Sequence, residues 1–170
     1  MTLPPHLDDL FRHMAWADAV VWRAVLSAAD HDDRTYKLLF HLHQVQWAFL
    51  SVWRGEERAG FKDFDAHPDL PSLAAWAREY HRQLPEHLAG IREEELNEVR
   101  EVTWRRWVEK TIGRQPAATT LAETMMQVTQ HSTYHRGQVN MRLRERGIEP
   151  PLTDFIAWVW LGKPATNWPI

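Results

Sequence analysis

Four long stretches of this chain repeat apolar residues at alternating steps of three and four, the spacing that lines one face of an α-helix. The first runs Leu7, Leu10, Met14, Ala17, Val21 and Val25; the second runs Leu38, Leu42, Val45, Phe49 and Val52. The third is Leu73, Trp76, Tyr80, Leu84, Leu88 and Ile91, and the fourth is Leu121, Met125, Val128, Ser132, His135, Val139 and Arg142. A helix with one apolar face must bury it against another element, and no stretch makes a credible sheet. The expected fold is all-α: a four-helix bundle occupying residues 1–170 as a single domain.

Local signals give the boundaries. Helix one is expected at 5–29, ending in the polar cluster Asp30-His31-Asp32-Asp33, which can also cap the next helix. Helix two is expected at 34–54 with Gly55 as its C-cap, and helix three at 72–94 with Ser72 as its N-cap and Pro85 as a source of kinking. Residues 56–71 read as a connection, and 97–117 as an irregular or hairpin-like one between helices three and four. Thr120 and Glu123 form a capping-box pattern opening helix four at 119–146. The short apolar run from Phe155 to Leu161, between Pro151 and Gly162, is expected to dock as a short C-terminal helix.

At 170 residues such a chain can bury roughly two thirds of its unfolded surface, so it needs no disulfides to hold a core. It has no cysteine to form them with, which also removes thiolate ligands and a cysteine nucleophile and leaves His, Asp and Glu as strong metal ligands. No apolar run approaches the ~20 residues of a membrane span, and the N-terminus carries no export signal. A cytoplasmic protein without a membrane partner is expected. A net charge of -3, with bases scattered among acids, provides no footprint for a phosphate backbone, so no nucleic-acid partner is expected either.

The fourth stripe turns polar at its middle, where Ser132 and His135 lie beside His131 and Gln138. Residues four apart share a helix face with Cβ atoms ~5–6 Å apart, so His131 and His135 can present both imidazoles to one ion. Zinc proteases use this spacing with a glutamate directly after the first histidine, and here Ser132 stands in that place. A third ligand must come from elsewhere. Helix two offers His41 and His43 at opposite edges of its stripe, and periodicity does not choose between them. His6, His13, His81 and His87 lack partners at ligand spacing, and His31 and His67 fall in connections; all six read as surface or packing residues. Trp16, Trp47, Trp76 and Trp158 continue apolar stripes and read as packing.

The run His131-Ser-Thr-Tyr-His135-Arg-Gly-Gln138-Val139, with Leu143-Arg-Glu-Arg-Gly147 and Pro150-Pro-Leu-Thr-Asp154 after it, resembles the DinB-like (DinB/YfiT) superfamily of bacterial four-helix-bundle proteins. Leu39 to Val45, continuing through Phe49-Leu50 to Trp53-Arg54-Gly55, resembles that family's second helix, and Met14-Ala15-Trp16-Ala17-Asp18 its first. The resemblance places the helix-two ligand on His41. It implies a divalent metal ion, zinc or nickel, held by His41, His131 and His135 with one position left open, as in catalytic zinc sites. Gln138 is then a candidate to orient a ligand or water, and Arg136 is as readily a solvent-facing residue.

The expected function is that of a metal-dependent enzyme acting on a small-molecule substrate, either hydrolysing it or transferring a low-molecular-weight thiol to it. The thiol is implied by the resemblance alone, as is a homodimer. No glutamate is placed as an obvious base for hydrolysis. The alternative is a non-catalytic, stress-associated metal-binding bundle whose ion ties helices two and four together.

Overall fold

The computed structural model describes residues 3–28, 32–56 and 66–169. Among them are six α-helices and no strand: α1 (Pro5–Ser27), α2 (Asp33–Arg54), α3 (Leu70–Gly90), α4 (Arg105–Ile112), α5 (Leu121–Glu145) and α6 (Phe155–Trp160). The four long helices pack in a closed ring, α1 against α3 and α5, and α2 against α3 and α5. Trp22, Leu50, Tyr80 and Met125, one from each, are fully buried in the core between them. At ~25 cal/mol per Å² of apolar surface removed from water, such a core is the dominant stabilising contribution.

Helix ends follow local chemistry. The Asp32 carboxylate accepts from the Thr35 amide and caps α2, whose last carbonyls are closed by Gly55 in the left-handed conformation. Thr120 and Glu123 make the expected reciprocal box at the start of α5. For α3 the cap is Asp69, not Ser72. Ser72 is the third helical residue, donating back to the Asp69 carbonyl while its amide bonds the Asp69 carboxylate. Pro85 lies on the exposed side of α3, which continues through it to Gly90.

The connection between α3 and α5 has more structure than 97–117 suggested. A 3-10 turn (Glu93–Asn97) tucks Leu96 into the core, and Val99 pairs antiparallel with Thr120 as an isolated bridge. Between them lies α4, none of whose residues is buried; Trp107 is 72% exposed. Most of the expected 56–71 connection lies outside the described residues, as does His31. Beyond α5 the chain turns back so that α6 packs Trp158 against Trp16 and Ala17 of α1.

α2 is rotated relative to the face that apolar counting selects, and α5 departs from it only at His135 and Arg142, its positions at Leu121, Met125, Val128, Ser132 and Val139 being buried as expected. In α2 the expected Leu42 and Phe49 are buried, but so are Leu39, His43, Gln46, Leu50 and Trp53, while Leu38, Val45 and Val52 are only half-buried. In α5 the buried positions include Ser132, Arg136, Val139 and Leu143, leaving His135 and Arg142 at the edge. The core contains polar residues at both places, so a count of apolar side chains draws the α2 stripe about one residue off.

Candidate metal centre

This rotation separates the two helix-two histidines. His43 follows Leu39 by four and lies inside, 1% exposed; His41, one position on from the buried Phe40, stays at the surface. On α5, His131 and His135 each immediately precede a buried residue, Ser132 and Arg136, and so lie at the helix edge, half-buried. His41, His131 and His135 thereby meet across the α2–α5 interface. Each offers a ring nitrogen, and the three nitrogens lie within 4.8 Å of one another. Ring centroids are 4.3 Å apart for His131 and His135, and 5.1 and 4.7 Å from His41 to each.

The hydrogen bonding leaves these rings available. His135 donates from Nδ1 to Gln138 Oε1 at 2.7 Å, which puts the lone pair on Nε2. Among the described residues no hydrogen bond engages the ring of His41 or His131, and the His131 Nδ1 is buried without a partner. Burial lowers the pKa of all three. It takes His131 to about 4, with the neighbouring imidazoles adding to the shift, and His135 adds to that of His41. Three neutral imidazoles converging from two helices, one of them exposed, can accept a single divalent cation and leave a side open to solvent.

Directly behind this triad the core is polar. Asp18 of α1 is reached from every other long helix: Arg136 Nη1 of α5 donates to Oδ1 at 2.7 Å, while Gln46 Nε2 of α2 and His81 Nε2 of α3 donate to Oδ2 at 2.7 and 2.9 Å. Gln46 Nε2 also bonds Ser132 Oγ at 3.0 Å, and its Oε1 accepts from His43 Nδ1 at 2.8 Å. The Trp22 indole N–H donates to His43 Nε2 at 2.8 Å. Burial opposes ionisation of Asp18, yet the Arg136 guanidinium and the His81 N–H hold its carboxyl well below the usual carboxylate range. Burial pushes His43 down to about 4, so it stays neutral at pH 7.

A model described as the DinB family matches residues 4–165. The chain belongs to the DinB family. No curated protein shows a significant sequence match to it. Within this DinB protein the described residues contain a second group of ligand type, Asp18, His43 and His81, but its chemistry is that of a buried ion pair held in a hydrogen-bond network. Both His43 nitrogens and both Asp18 oxygens are already engaged, so a cation there would have to break the bonds that balance a buried charge.

Several readings of single residues change. Arg136, as readily a solvent-facing residue by sequence, is 2% exposed and paired with Asp18. His81 has a partner after all, the Asp18 carboxylate, supplied by another helix rather than by its own. His43 is a core residue. Gln138 orients His135. The remaining described histidines fit packing or surface roles: His6 is exposed, His13 bonds the Thr153 carbonyl, and His67 and His87 stack on Trp76 and Trp53. The Asp18 network was missed although it leaves a trace in the sequence. Asp18, His43, His81 and Arg136 each occupy a three-or-four-spaced position in their helix, as in Met14, Asp18, Val21 or Ala77, His81, Leu84.

Proposed function

We propose that this DinB protein is a four-helix bundle in which His41, His131 and His135 hold one divalent cation, zinc or nickel, and that it uses the cation to transfer a low-molecular-weight thiol to a small electrophilic substrate. The observation that carries the reading is the convergence of three neutral, unencumbered imidazoles from two helices at a surface-facing edge. The buried, unpartnered Nδ1 of His131 fits a bound cation, as does a donor set made only of imidazole. When bound, the cation supplies Lewis acidity that lowers the pKa of a thiol or water reaching it.

The chain's own residues do the rest. Gln138 fixes the tautomer of His135 by accepting its Nδ1 proton. The exposed flank at His41 admits ligand, and Ser132 and Arg136 behind the triad close it off from the core. Among the described residues no Asp or Glu belongs to the group, and a thiol, more acidic than water and deprotonated outright on reaching a cation, is the nucleophile that least needs a protein base, hence thiol transfer over hydrolysis. The non-catalytic reading draws on the same geometry, since ligands from α2 and α5 would clamp those helices together.

The test is a substrate panel of thiol-plus-electrophile pairs and of esters, run on metal-loaded protein, metal-stripped protein and the His131→Ala variant. Metal-dependent consumption of thiol and electrophile together supports transfer, and metal-dependent ester cleavage alone would replace it with hydrolysis. If no substrate turns over while metal raises the melting temperature, the structural reading holds.

A further inference from the structure

The side chains that directly follow the two α5 ligands are both anchored in the core. Ser132, after His131, accepts from Gln46 Nε2 of α2 at 3.0 Å. Arg136, after His135, donates to one oxygen of Asp18, and the other oxygen accepts from the same Gln46 Nε2 at 2.7 Å. A single α2 amide thus reaches the neighbours of both ligands, the first directly and the second through Asp18. One residue turns a helix by about 100°, so holding 132 and 136 inward carries His131 and His135 round to the edge that α2 shares.

On α2 this amide comes five residues after His41, roughly 7.5 Å along the axis. The bonds from Asp32 to Arg142 and from Trp53 to Thr124 also join α2 to α5, but nine and twelve residues from His41. The orientation of the Gln46 amide is fixed from three sides. The Trp22 N–H occupies His43 Nε2, so the His43 proton is on Nδ1 and is donated to Gln46 Oε1 at 2.8 Å. The amide NH₂ then has one hydrogen for Asp18, whose carboxylate can only accept, and one for Ser132. Gln46 and Ser132 are both fully buried, so bulk water does not replace a lost partner. Imidazoles that share one ion must be placed to within about 0.5 Å, and ligands on two helices are only as well placed as the helices are registered.

We infer that Gln46 is a positioning residue of the triad: through Ser132 and Asp18, and with no hydrogen bond to any ligand, it holds His41 of α2 in register with His131 and His135 of α5. The inference rests on the metal-binding reading of those three histidines.

Co²⁺ is the probe, because its visible absorption reports the arrangement of its ligands as well as its binding. Gln46→Met keeps the length of the side chain without its hydrogen bonds, and Ser132→Ala removes only the α5 half of the link. Titrated into the full chain, Co²⁺ should bind both variants about tenfold or more weakly than wild type and with a changed visible band. Thr124→Val, which deletes a buried α2–α5 bond far from the triad, should lower the urea midpoint while leaving Co²⁺ affinity and band as in wild type. Wild-type affinity and band in Ser132→Ala overturn the inference, whether or not Gln46→Met folds. An equal loss of affinity in Thr124→Val overturns it too, by making the effect one of general stability. A wild-type chain that takes up no Co²⁺, or a His131→Ala variant that binds it unchanged, would instead sink the triad reading and the inference with it.

Discussion

Arg136 of α5 donates to the Asp18 carboxylate of α1 across 2.7 Å, with both side chains sealed from solvent. The pair is an ion pair inside a buried polar cluster completed by Gln46, His43, His81 and Ser132, where each charge depends on the other. Removing one partner leaves an uncompensated buried charge, which is far more costly than losing a surface bridge. Arg136→Met should therefore destabilise the protein by about 3–5 kcal/mol. Asp18→Asn combined with Arg136→Met should cost clearly less than the sum of the single changes in urea unfolding. Additive losses would mean that the two side chains act independently.

His41 and His43 should separate function from stability. His41→Ala, at an exposed position, should change the stability of metal-free protein by less than about 0.5 kcal/mol while removing most bound metal by elemental analysis. His43→Ala opens a cavity and strands the Trp22 N–H and the Gln46 carbonyl, so about 3 kcal/mol of stability should be lost. Metal retained by the first variant and lost by a folded second one would exchange the two roles.

Acid should weaken the metal-free protein well above the carboxylate range. His43 has a folded pKa of about 4 against 6.5 when unfolded, so between those values the unfolded chain binds the extra proton and stability falls as pH falls. The loss is complete near pH 4 and is on the order of 3 kcal/mol for this fully buried group. Asp18, whose carboxyl is depressed, has the same direction of effect but in a lower window, beginning near its unfolded value of 3.8. Urea midpoints that stay flat from pH 6.5 to 4.5 would contradict the His43 assignment.

Asp32 caps α2 through the Thr35 amide and also accepts from Arg142 and Arg146 of the α5 end. Asp32→Ala should consequently cost more than a simple cap, about 2 kcal/mol rather than about 1. Asp69→Ala, which caps α3 but lacks such partners, is the comparison. Equal shifts in melting temperature for the two variants would show that the arginines add nothing.

The long helices were readable because each carries a stripe of five to seven members, and α2 and α5 also have chemically specific termini in Gly55 and the Thr120–Glu123 box. The meeting of His131 and His135 follows from spacing on one helix. Their meeting with His41 needs the rotation of α2, which depends on Gln46 and His43 being core residues, and hydropathy marks those as exterior. Asp18 and His81 lie 63 residues apart, so no local pattern links them. α4 was missed because none of its eight residues is buried and it lies in a segment whose charges and tryptophans imitate an irregular loop.

Because Asp18 is touched from α2, α3 and α5 at once, the four long helices share one vertical register. Apolar layers alone would tolerate a slip of one turn, about 5.4 Å, by exchanging one leucine for the next. Such a slip here would strand a carboxylate and a guanidinium in hydrocarbon. The interior thus rejects misassembled bundles that the apolar stripes by themselves would admit.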